Sequence, residues 1–92
     1  MRLAIGQAPS PAGDEAAALA AVERTLRAAA AAGADMAVMP ELFLPGYNHP
    51  DITRQAQPAD GAWVSALCDL VRKSGCGLTI GFAERDGAQI FN

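Results

Sequence analysis

The apolar positions alternate between short continuous runs and longer helical stripes. Leu3 to Ala8 is one such run, closed by Ala8-Pro9-Ser10-Pro11, the pattern of a buried strand entering a loop. Asp14 then offers an N-cap and Gly33 a residue able to end a helix. Between them Leu19, Val22, Leu26 and Ala29/Ala30 recur at helical spacing, with Glu23, Arg24 and Arg27 opposite. Glu23 and Arg27 stand in the favourable i,i+4 order. The many alanines favour helix and permit close packing on a sheet. Met36-Ala37-Val38-Met39 is a second buried strand, halted by Pro40, which has no N–H for a ladder. Strand, helix and strand from Leu3 to Met39 form a βαβ unit, which predicts parallel strands.

Leu42 to Asp60 contains Pro45, Gly46, Pro50 and Pro58 and predicts a long irregular connection, of the kind that usually carries function. Asp60 or Gly61 opens a second helix, with Trp63, Leu67, Leu70 and Val71 along one side. Arg72 and Lys73 in its last turn suit the helix dipole, and Gly75 ends it. Leu78 to Ala83 is a third strand, Asp86-Gly87 a hairpin signal, and Ile90-Phe91-Asn92 the start of a fourth strand. The predicted class is α/β in the order β-α-β-α-β-β. A fourth strand of this length leaves an open edge, so the expectation is an incomplete domain, the N-terminal fragment (residues 1–92) of a longer one.

The chain has 92 residues, 51% apolar and 18% charged, which excludes a disordered, collagen-like or charge-tail protein. At this size folding removes only roughly 60–65% of the unfolded surface from water. A net charge of −3, with Arg72-Lys73 the only adjacent basic pair, argues against nucleic acid or an anionic membrane as partner. No run approaches a membrane span, and the apolar stretch after Arg2 is too short for a secretory signal and is broken by Gln7. Cys68 and Cys76 are too few for a disulfide scaffold and lack metal-ligand spacing. The expectation is a soluble cytoplasmic protein with reduced thiols, no metal and no organic cofactor.

Glu41 is the strongest chemical candidate. It is the only charge between Asp35 and Asp51 and follows a strand at its C-terminal end, where open α/β sheets place their sites. Enclosure by its apolar neighbours would tune it toward general-base work. The plainer alternative is a loop glutamate reaching water. Tyr47 is the candidate substrate-binding residue, or else an aromatic packed on the strand end. His49 reads as an exposed loop histidine, Trp63 as a core anchor, Cys68 as helix packing and Cys76 as a turn thiol. Glu84 and Arg85 read as hairpin charges. Gly75-Cys76-Gly77 precedes a strand rather than a helix, so it is not a dinucleotide fingerprint.

Gly33-Ala34-Asp35, the following strand, and Pro40-Glu41-Leu42-Phe43-Leu44-Pro45-Gly46-Tyr47 resemble the N-terminal signature of the nitrilase (carbon–nitrogen hydrolase) superfamily. Gly81-Phe82-Ala83-Glu84-Arg85-Asp86-Gly87, then Phe91-Asn92, is similar to that family's next block. The closest flavour is the aliphatic amidase or omega-amidase-like group. The resemblance implies an α-β-β-α sandwich that doubles in a homo-oligomer, with a small amide or nitrile as substrate. It implies a Glu-Lys-Cys mechanism in which cysteine attacks the substrate carbon, glutamate moves protons, and lysine with backbone donors stabilises the oxyanion. Only the glutamate maps here, onto Glu41. The family's lysine follows the fourth strand, so Lys73 is not its counterpart, and the nucleophile lies later still. Two rivals are a truncated non-catalytic module associating through its open sheet edge, and a binding domain sharing only the topology.

Overall fold

A computed structural model describes all residues, Met1–Asn92. The elements in chain order are β1 (Leu3–Ile5), α1 (Glu15–Ala31), β2 (Met36–Val38), α2 (Ile52–Gln55), α3 (Ala62–Ser74), β3 (Gly77–Thr79), β4 (Glu84–Asp86) and β5 (Gln89–Phe91). β1, β2 and β3 form a parallel sheet in that order. Leu3 aligns with Met36 and Gly77, Ala4 with Ala37 and Leu78, and Ile5 with Val38 and Thr79. Two crossovers stepping in the same direction with the usual hand put both long helices on one face, and α1 packs against α3.

Local chemistry fixes the ends of the helices. The Asp14 carboxylate accepts from Ala17 N–H at 3.0 Å, capping α1. At the other end Gly33 sits at φ 73°, its N–H donating to Ala30 O, while Ala34 N–H donates to Ala29 O. That pair of bonds is the Schellman closure that a left-handed glycine permits. Gly61 begins α3 without a capping side chain, and the Gln57 amide oxygen substitutes by accepting from Trp63 N–H at 3.1 Å.

Ala18, Ala21, Val22, Leu26 and Ala29 of α1 meet Trp63 and Leu67 of α3 and Ala37 of β2 in one core. Three of the five α1 residues are alanine, so the backbone comes close to the sheet. Leu19 is only partly buried; Ala18 and Ala21 hold the inner positions.

The first strand is less buried than its run of apolar residues predicts, with Leu3 51% and Ile5 69% exposed. Their side chains alternate away from Ala4, on the sheet face that neither helix covers. One helix layer on one sheet corresponds to the first two layers of the expected sandwich.

The third strand is shorter than Leu78 to Ala83. Pairing with β2 ends at Thr79, with one further bond from Met39 N–H to Thr79 O at 2.8 Å. The cause is Pro40, which ends β2 and leaves the next residues without a partner. They pair with the long connection instead. Leu44 bridges Phe82, and Gln57 bridges Glu84, so the expected irregular segment supplies two pieces of surrogate strand. It also holds the short α2, which its prolines and glycine did not suggest.

Glu84–Asp86, which holds the two hairpin charges, is a strand antiparallel to β5. Asp86 pairs with Gln89, which moves the turn one residue on, to Gly87-Ala88. Gly87 at φ 58° followed by an alanine without positive φ fits a II′ hairpin.

Candidate active site

Pro40 terminates β2 and delivers the chain into a tight turn. Leu42 has φ 49°, a left-handed conformation costing a leucine about 1–2 kcal/mol. The bend sends Phe43 and Leu44 into the core and leaves Glu41 on the surface. The apolar neighbours that were to enclose the carboxylate are consumed by the core, so its enclosure is not found. Glu41 is exposed.

The second sequence block closes directly onto this turn. Ala83 N–H donates to Leu44 O at 2.9 Å and Leu44 N–H to Gly81 O at 3.4 Å. A Cβ on Gly81 would lie 2.5 Å from Leu42 N and 3.1 Å from Glu41 Cα, so only glycine permits this approach. From the end of β5, Asn92 Nδ2 donates to Glu41 Oε1 at 2.5 Å. Residues 40–44, 81–83 and 92, distant in sequence, therefore meet around Glu41: residues 81–83 at its backbone turn and Asn92 at its carboxylate.

The far side of the loop is also fixed. Gly13 N–H donates to Pro45 O at 2.7 Å, and the Leu44–Pro45 bond is cis. A Cβ on Gly46 would fall 2.6 Å from Ser10 Oγ. His49 is half-buried rather than exposed, its Nε2 enclosed without a partner beside Gly13, where a Cβ would meet it at 2.6 Å.

Tyr47 is 58% exposed and makes no hydrogen bond to Glu41. The clefts of the chain are lined by other residues. One of about 470 Å³ lies beside Pro45, Arg54, Gln57 and Trp63. An apolar groove of about 560 Å³ lies between α3 and β3, lined by Val64, Cys68, Val71, Leu78 and Ile80. Cys68 is therefore exposed rather than packed, whereas Cys76 is buried in the core. Trp63 is a core anchor, its ring edge-on to Phe82 with centroids 6.5 Å apart.

Lys73 has a structural partner. Its Nζ lies 3.0 Å from Glu23 Oε1, joining α3 to α1, and Arg27 approaches the same oxygen at 3.3 Å. Lys73 chiefly holds the Glu23 carboxyl below its ordinary pKa; desolvation opposes it, and Arg27 adds a lesser lowering. The Arg85 side chain makes no ion pair across the hairpin; its guanidinium donates to Thr53 O and ties β4 to α2. No group of three His, Cys, Asp or Glu side chains is arranged to hold a metal ion. No helix is long and apolar enough to cross a membrane.

Three contributors to the Glu41 environment were not singled out from the sequence. Gly81 and Asn92 stand out in the sequence only as members of a motif block or a strand, and Gln57 carries no signal of its own. The hairpin signal could have located Asn92, since pairing Asp86 with Gln89 sets Phe91 opposite Glu84 and carries Asn92 back toward residue 83.

The chain matches the carbon-nitrogen hydrolase family over residues 2–92, and it belongs to that family. It is also similar to a protein named nitrilase from Pyrococcus abyssi (strain GE5 / Orsay), at 34% identity over 74 residues, 76% of this chain and 28% of the relative. The chain thus spans less than a third of that relative's length. The family and the α/β fold are thus established, and the chain carries Glu41 where its two sequence blocks meet.

Proposed function

We propose that these residues are the N-terminal portion of a cytoplasmic hydrolase acting on a small amide or nitrile, with Glu41 as general base. The observation that carries this reading is the convergence of both sequence blocks on Glu41 at the C-terminal end of β2. In an amide reaction the carboxylate accepts the proton of a cysteine thiol as sulfur bonds to the carbonyl carbon. That proton passes to the leaving nitrogen as the carbon–nitrogen bond breaks, releasing ammonia or an amine. Water then attacks the thioester, gives a proton back through Glu41, and leaves a carboxylic acid and the free thiol. The lysine and cysteine lie outside these residues in this reading, and Tyr47 lines the approach to the carboxylate. Amides of the aliphatic or omega-amidase kind are the preferred substrates, and the protein works as a homo-oligomer without a cofactor.

The test is Glu41→Gln in the protein that carries these residues with its lysine and nucleophile. Glutamine keeps the shape but cannot accept the proton, so amide hydrolysis should fall on the order of 10²–10⁴-fold with the fold intact. Glu84→Gln should retain nearly full activity. Equal activity in both variants would make Glu41 a structural carboxylate. A protein without any amide or nitrile turnover would favour the non-catalytic module.

A further inference from the structure

We infer that Asn92 is a positioning residue for Glu41: its side-chain amide holds one carboxylate oxygen so that the other faces the reacting proton. The inference rests on the reading of Glu41 as general base and adds to it the device that orients the base. The only side-chain hydrogen bond made by Glu41 comes from Asn92 Nδ2 to Oε1. An exposed glutamate otherwise has several rotamers, and a base must be within hydrogen-bond reach of its proton in a defined direction. Engaging Oε1 leaves Oε2 free to accept.

Both partners are referenced to the same stretch of backbone. Glu41 is placed by Gly81, whose bare Cα admits the turn, and by the Leu44 bonds to Gly81 and Ala83. Asn92 is placed by β5, whose register on β4 pairs Glu84 with Phe91. β4 is fixed on its other edge by Gln57, through Gln57 N–H to Ala83 O at 3.1 Å and Arg85 N–H to Gln57 O at 2.9 Å. Segment 81–86 therefore sets the positions of base and donor together.

The amide suits this position for an electrostatic reason as well. An N–H donor can hold a carboxylate oxygen in place, whereas a second carboxylate there would repel it. Asparagine supplies a donor and no charge. The isosteric Asn92→Asp substitution removes the donor and adds a like charge, and Asn92→Ala removes the contact alone. At an exposed strand end neither should disturb the core.

The experiment measures kcat, KM and their pH dependence for wild type, Asn92→Ala, Asn92→Asp and Glu41→Gln in the protein that carries these residues, with thermal midpoints alongside. Asn92→Ala should lower kcat about 10- to 100-fold, the range expected for a hydrogen bond to a charged group, with KM and midpoint little changed. Asn92→Asp should move the acidic limb of the kcat/KM profile to higher pH, and Glu41→Gln should lower activity on the order of 10²–10⁴-fold. If Glu41→Gln inactivates while both Asn92 variants match wild type at every pH, the positioning role is overturned and the base assignment stands. If Glu41→Gln remains active, the base assignment falls, and the positioning role with it. A loss in Asn92→Ala that follows a lowered thermal midpoint, without the acidic-limb shift in Asn92→Asp, would show a merely structural residue and also overturn the inference.

Discussion

Replacing Gly81 with alanine tests the tightest contact of the site. The added Cβ would stand 2.5 Å from Leu42 N, so the two backbones must separate by about 0.9 Å to reach the 3.4 Å where ordinary contact begins. Backbone cannot yield as a flexible side chain does, and such overpacking costs roughly 1–3 kcal/mol. Reduced freedom of the unfolded chain returns about 0.4–1 kcal/mol, leaving a net loss of about 1–2 kcal/mol. For a domain of this size that lowers the thermal midpoint by roughly 5–15 °C, measurable by circular dichroism. The same displacement moves Glu41, and a misplacement near 1 Å can cost about 100-fold in rate. Gly75→Ala is the matched control. Gly75 has φ +71° with nothing within 4 Å of its Cβ position, so alanine there costs about 1–2 kcal/mol of conformational strain without touching the Glu41 turn. Both variants should lose similar stability, but only Gly81→Ala should lose activity in the protein that carries these residues. An unchanged midpoint and rate for Gly81→Ala, or equal rate losses in both, would refute the steric account.

The two thiols should separate cleanly: a bulky thiol reagent should label Cys68 in the native protein and reach Cys76 only on unfolding, and labelling of both at equal native rates would contradict the packing of Cys76. Glu23 should give stability a dependence on acid. Because its folded pKa is lowered by Lys73 and Arg27, its contribution is present above the ordinary carboxylate pKa and is lost as pH falls through the lower folded value. Chemical denaturation should therefore show a shallower acidic decline in Glu23→Gln than in wild type, and parallel curves would place the pair outside the folding balance.

The helices were legible because their signals are local. Asp14 and Gly33 bound α1 by chemistry that needs no distant partner, and the Trp63, Leu67, Leu70, Val71 stripe faces the core as its period requires. Even the exposure of Cys68 was within reach, since it lies a full 100° around the helix from Leu67. Strand ends are different, because a strand lasts only while its neighbour does. Nothing within Leu78 to Ala83 encodes that β2 stops at Val38, or that Leu44 and Gln57 take up the freed backbone. The exposure of Leu3 and Ile5 is likewise set by what covers the second face of the sheet, not by the residues themselves.

The site divides along the same line. Glu41 could be singled out because it is an isolated charge beside a strand-ending proline, a pattern contained within a few residues. Its surroundings could not, because the turn at Leu42 decides that Phe43 and Leu44, not the carboxylate, enter the core. The two sequence blocks acquire a joint meaning only in space. Gly81 lacks a side chain because Glu41 Cα lies against it, and the hairpin register matters because it brings Asn92 back to Oε1. A shift of one residue between β4 and β5 would reverse the faces of their side chains and remove that donor, although every residue named in the site would still be present.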